Sequence, residues 1–159
     1  MSFNIIKCSR KSIRDNICLP SLKELSNKAH MLSDKKLKSF AEEFAKKMST
    51  KMQSVDQFVS NLSGGNKQKV VLARWIGKDS DILLLDSPTR GIDIKVKQDI
   101  YRLMDEMRKS GKSIIMISEE LTELIGMCDR IIIMKDGRIN GELLRSADID
   151  ENSLIAKMV

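Results

Sequence analysis

The sequence has little of what metal, redox and base-stacking chemistry requires. Its 159 residues include one histidine, one tryptophan, one tyrosine and three cysteines, and aromatics make up 4%. A lone His30 leaves little room for histidine-based catalysis. Cys8, Cys18 and Cys128 are too few and too scattered for a metal site or a disulfide framework, which suits a reducing compartment. No apolar run approaches the ~20 residues of a membrane span. The longest, 82–85 and 131–134, are strand-sized. The first residues, MSFNIIKCSRKS, contain no apolar signal-peptide region. Together these absences argue against a secreted, membrane-spanning or zinc-dependent protein.

What is present describes an ordinary globular chain. Hydrophobic residues make up 42% and charged residues 31%, against the pattern of disorder. A chain of this size can bury about 70% of its unfolded surface, enough for a real core. The net charge of +6 is uneven. Residues 1–52 carry twelve Lys/Arg against five Asp/Glu, and residues 53–159 carry sixteen against seventeen. A basic segment of that kind can meet phosphates or an anionic membrane. A solvated lysine-rich helix face explains it more simply, and few aromatics are available to stack bases. No nucleic-acid partner is expected.

The pattern predicts a helical first third. Ser12 caps a short helix towards Cys18, which Pro20 ends. From Ser33, the spacing of Leu37, Phe40, Ala41, Phe44, Ala45 and Met48 is helical. Beyond Gln53 the texture changes. Asp81-Ile-Leu-Leu-Leu-Asp86 reads as a strand apolar on both faces, inside a parallel sheet. Val96, Ile100, Leu103, Met104 and Met107 form a helix stripe, with Gly111 at its C-terminal cap. Residues 113–117 predict a second buried strand, and Leu121, Leu124 and Ile125 a short helix. Lys135-Asp136-Gly137 is a hairpin turn between strands over 130–134 and 138–143. A last helix spans 150–159. The order predicts an α/β fold.

Two strings carry chemistry. Leu62-Ser63-Gly64-Gly65-Asn66-Lys67-Gln68 sets a hydroxyl and free backbone N–H groups at a positive helix end, where phosphate oxygens bind. The plain alternative is a helix cap and turn. Next, Ile82-Leu-Leu-Leu-Asp86-Ser87-Pro88-Thr89-Arg90-Gly91-Ile92-Asp93 ends a hydrophobic strand on Asp86, where a carboxylate can hold Mg²⁺. Asp is also a common strand-ending turn residue.

Taken together, LSGGNKQKVVLARW, ILLLDSPTRGID and IIMISEELTELIGMCDRIIIMKDGRINGE resemble the ATP-binding subunits of ABC transporters. Within that family they look like the second ATPase domain of fused subunits that drive ribose-, galactose- and xylose-type importers. The resemblance spans about 12–144 and is strongest from Asn61 onward. It implies a P-loop NTPase fold using ATP and Mg²⁺. Ser63, Gly64, Gly65 and Asn66 match the signature that contacts the γ-phosphate of ATP held by an opposing domain. Asp86 matches the Walker-B aspartate, and Gly91, Ile92 and Asp93 match the D-loop. The implied partners are a second ATPase domain or complementary half and a transmembrane sugar permease. The implied place is the cytoplasmic face of the cell membrane.

Three departures qualify that likeness. Ser87 stands where the family has the glutamate that polarises water, and a hydroxyl cannot act as that base at neutral pH. Glu119 follows Ser118 where many members have a switch histidine. No G-x-x-x-x-G-K-[ST] string occurs. Gly111-Lys112-Ser113 comes nearest, but Glu106 occupies its upstream glycine position, and it joins a helix to a strand rather than the reverse. The chain is therefore expected to hold part of a helical subdomain over 1–60 and the signature helix with the C-terminal half of the core over 61–159. It is expected to lack the P-loop strand and to be inactive alone. The alternatives are a non-catalytic or regulatory remnant and a soluble ABC protein on ribosomes or DNA.

Overall fold

The computed structural model of the chain describes residues 10–146 and 149–158; Cys8 lies outside them. Of these, 10–83 and 89–114 form one compact unit, and 84–88 with 115–158 form another. Among the described residues no helix is long and apolar enough to cross a membrane.

The first unit is built on helices. In α1 (Ile13–Cys18), Ser12 is the N-cap and its hydroxyl accepts from Asp15 N at 3.0 Å. Pro20 does not end helical structure outright. It sits in a 3-10 turn (Leu19–Ser21), and a short α2 (Leu22–Leu25) follows at once. The proline occupies a first-turn position, where its missing N–H costs nothing. Helix α3 (Asp34–Lys47) follows Ser33 and buries Ala41 and Ala45, whose small side chains let it approach its neighbours closely. Helix α4 (Gly64–Gly77) packs against both α1 and α3. Gly77 makes that contact possible, because a Cβ there would stand 2.9 Å from Phe40 Cζ. Residues before and after position 60 thus share one packed bundle.

The two predicted strands form, as β1 (Ile82–Asp86) and β2 (Ser113–Ile117), joined by α5 (Ile94–Lys109). Ser113 N donates to Asp81 O at 2.9 Å, and Ser87 N donates to Ile117 O at 2.8 Å. Both bonds advance along the two strands together, so the pair is parallel. Gly111, with φ +89°, follows α5 in the left-handed conformation that favours glycine.

The expectation of strands buried on both faces is corrected. Leu83 and Leu85 are 6% exposed, but Ile82 and Leu84 are 64% and 65% exposed. Ile115 and Ile117 are also exposed. The sheet has two strands, β1 and β2, and only one of its faces is covered among the described residues. An all-apolar run therefore reads as alternating in burial.

In the second unit, α6 (Leu121–Met127) precedes the antiparallel hairpin β3 (Arg130–Lys135) and β4 (Arg138–Leu144). Asp136 and Gly137 both have positive φ, 48° and 74°, the combination that a two-residue hairpin turn needs. The register shifts between Ile133 and Met134. Ile131, Ile133 and Leu154, the last on α7 (Glu151–Met158), form the core with Leu121, Leu124 and Leu143 around them. Among the described residues β3 pairs with β4 and not with the β1–β2 sheet, as expected of a chain without a P-loop string.

Candidate functional site

The turn of Ser63, Gly64, Gly65 and Asn66 is assembled by the start of α4. Ser63 is its N-cap, in extended conformation, yet its side chain makes no capping bond. Instead Asn66 Nδ2 donates to Ser63 Oγ at 3.0 Å, while Asn66 Oδ1 accepts from Lys51 N at 2.9 Å. Asn66 therefore orients the hydroxyl and ties the turn to the preceding loop. The first-turn N–H groups have no acceptor within the helix, and the helix dipole adds positive potential there.

The two glycines differ in what they meet. A Cβ at Gly65 would lie 3.1 Å from Val96 Cγ2, so that glycine serves internal packing. A Cβ at Gly64 would meet nothing within 4 Å. The chain's own fold does not require glycine at 64, and an exposed backbone there suits close approach by a ligand.

Glycine at 91 has a conformational reason. Gly91 has φ +70° in open space. Asp93 caps α5, its carboxylate accepting from Val96 N at 3.0 Å. That capping role went unread in the sequence, although an Asp before an amphipathic run is its usual sign. Ile92 is half-buried between them.

Asp86, Ser87 and Glu119 belong to the second unit, whereas residues 63–66 and 91–93 belong to the first. Asp86 ends β1 half-buried, and Ser87 Oγ donates to its Oδ1 at 3.1 Å. Ser87 has φ +49°, a left-handed conformation costly for a residue with a Cβ. Its N–H holds Ile117 O, so the C-terminal ends of β1 and β2 lie together with Ser118 and Glu119 just beyond. In parallel α/β sheets, ligands bind at such ends. Glu119 is exposed.

A further carboxylate, missed in the sequence, is buried nearby. Glu123 accepts from Ser118 Oγ, whose oxygen in turn accepts from Glu120 N at 3.1 Å. The Ser118–Glu120 turn is thus fixed from α6. Its sign in the sequence is a glutamate in the first turn of a helix.

Asp86 and Ser87 offer hard oxygen donors, and these suit Mg²⁺. That ion is commonly held by one or two carboxylates together with phosphate oxygens rather than by a dedicated cage. No cluster of three or more His, Cys, Asp or Glu residues able to hold a metal occurs among the described residues. The donor set fits an ion that arrives with phosphates.

These positions can be set beside known proteins. The ABC transporter family matches residues 6–90. The ribose import ATP-binding protein RbsA of Clostridium perfringens is 46% identical over 134 residues, covering 84% of this chain and 27% of that protein. RbsA of Bacillus subtilis is 46% identical over 132 residues, with 83% and 27% covered. RbsA 2 of Mesorhizobium japonicum is 47% identical over 147 residues, with 91% and 28% covered. The chain thus spans little more than a quarter of the length of these relatives. Among solved structures, a dimeric ATP-binding cassette in a post-hydrolysis state with ADP and Pi superposes with a TM-score of 0.75 at 24% identity, with 87% of this chain and 59% of that one covered. A second cassette of an ABC transporter gives 0.76 at 15% identity, with 95% and 64% covered. The fold is that of an ATP-binding cassette in part. With the family matched over more than half its residues, this chain belongs to the ABC transporter ATP-binding family.

Proposed function

We propose that the chain supplies the signature, Walker-B and D-loop elements of an ATP-binding component in a sugar-importing ABC transporter. Residues 1–60 contribute the basic part of the helical subdomain, and residues 61–159 carry the motifs. Ser63, Gly64, Gly65 and Asn66 meet the γ-phosphate of a nucleotide whose P-loop belongs to another domain or a complementary half. Asp86 faces the Mg²⁺, and Asp93 belongs to the D-loop. Ser87 and Glu119 occupy the water-polarising and switch positions. A transmembrane sugar permease on the cytoplasmic side of the membrane is the further partner.

The observation that carries this reading is the state of Ser63. It is exposed, it is oriented by Asn66, and it stands beside a glycine that nothing in the chain requires. A hydroxyl serving merely as a cap would bond the N–H of the first turn. The relatives, which are ribose import ATP-binding proteins, support the transport assignment.

The test is complementation. A cassette with an intact P-loop and a disabled signature of its own is mixed with this chain, and phosphate release is measured. The wild-type chain is expected to raise release at least about tenfold, equivalent to about 1.4 kcal/mol of transition-state stabilisation. Ser63→Arg should abolish that gain while leaving the far-UV circular dichroism unchanged. Equal stimulation by both versions would defeat the assignment.

A further inference from the structure

Two motifs far apart in sequence meet at one side chain. Gly65 of the signature lies against α5, where a Cβ would stand 3.1 Å from Val96 Cγ2. Val96 is also the residue whose N–H the Asp93 carboxylate caps, at 3.0 Å. About one turn further along both helices, Lys69 Nζ donates to Asp99 Oδ2 at 2.7 Å. Lys69 is 5% exposed and also donates to Ser49 O at 3.4 Å. The contacts advance together, from Gly65 to Lys69 on α4 and from Val96 to Asp99 on α5. The starts of these helices therefore lie side by side, within one compact unit.

We propose that Val96 is a positioning residue that couples the signature turn to the D-loop, so that a phosphate held at the turn also fixes Asp93. Valine in a helix has one strongly preferred rotamer, because both branches sit on Cβ. Its methyls cannot swing aside when the signature backbone shifts. A displacement at Gly65 is therefore passed to the Val96 backbone and to the capping bond that Val96 N donates to Asp93. Lys69 and Asp99 prevent the helices from sliding apart as this happens. The Lys69 hydrogen bond holds the Asp99 carboxyl below its ordinary range. The phosphate identity rests on the function proposed above; the coupling belongs to α4 and α5 alone.

Amide hydrogen exchange on the 159-residue chain tests it. Gly65→Ala is expected to speed exchange of the Val96 N–H about tenfold, with the Ile13 N–H as reference. That reference amide donates to Gln57 O at 3.0 Å in the same unit. The double variant Gly65→Ala/Val96→Ala removes the obstructing methyls and should bring the Val96 amide back to within about twofold of wild type. Where Gly65→Ala prevents folding, Asp99→Asn reads the same coupling without adding bulk, and should speed the Val96 amide about threefold over the reference. Equal acceleration at both amides, absence of rescue, or no response to Asp99→Asn overturns the coupling. Failure of the phosphate reading looks different. MgATP supplied with a P-loop cassette would then leave the Gly64 and Gly65 amides unprotected, while the Gly65→Ala effect at Val96 persists.

Discussion

Replacing Ser87 by glutamate is expected to leave the lone chain without ATPase activity, yet to raise turnover once a complementary polypeptide carrying the P-loop half is present. The reasons are separable. A carboxylate at 87 restores a base that a hydroxyl cannot replace, and general-base contributions are typically ~10²–10⁴-fold, which bounds the gain. Without an anchored γ-phosphate, however, the water that this base would polarise has nothing to attack. The backbone does not forbid the change, since Ser87 already holds φ +49° and glutamate pays a similar local cost. Its N–H remains on Ile117 O, so the strand end keeps its place. Steady-state phosphate release distinguishes four samples: each version of residue 87, alone and complemented. Activity from the lone Ser87→Glu chain would reveal a phosphate-binding loop elsewhere in these residues. Identical rates in the two complemented samples would remove Ser87 from the water-polarising position.

The largest stability effect is expected at Arg74, in the last turn of α4. The residue is 5% exposed. Nε donates to Asn16 O at 2.8 Å, and a terminal nitrogen donates to the Asn16 side-chain oxygen. Asn16 is buried too, and its Nδ2 donates to Ser12 O at 2.8 Å. One fork therefore ties α4 to α1 and to the cap of α1. Arg74→Ala strips donors from buried acceptors and should cost about 2–4 kcal/mol, because an unsatisfied buried group loses its full solvation. Arg74→Lys keeps the charge but not the planar fork, and should recover less than half of that. Urea unfolding followed by circular dichroism measures both. A loss below about 0.5 kcal/mol for Arg74→Ala would place the fork among contacts of surface weight.

The motifs and most elements were legible because each depends on local chemistry. Ser12 before α1 and Asp136-Gly137 in the hairpin act through bonds or dihedrals that their near neighbours set. The separation of β3 from β1 and β2 was also legible, from a motif that is missing.

What was not legible depends on partners distant in sequence. The run Ile82-Leu83-Leu84-Leu85 cannot tell which of its faces will be covered, because that depends on layers outside the run. Lys69 reads as one more lysine on an amphipathic helix until Asp99 arrives thirty residues later. Arg74 likewise reads as a helix-end cation until Asn16 is found beneath it. Glu123 lay near a position already singled out, Glu119, yet only the fold shows that it is buried and holds Ser118. The Asp93 cap was open to reading and was overlooked, since its motif role explained the residue before its helix did.

Nucleotide affinity tests the central claim most directly: this chain supplies the signature side of a site whose P-loop lies elsewhere. Calorimetric titration of MgATP into the 159-residue chain is expected to give no binding tighter than about millimolar, some 4 kcal/mol. In the proposed site Asp86 and Ser87 reach only the metal side of the nucleotide, and no P-loop string occurs in the sequence. Titration into the chain mixed with a signature-disabled cassette should give tighter binding than either component alone, and Ser63→Arg should remove the difference. Micromolar affinity at one site per lone chain would contradict the claim.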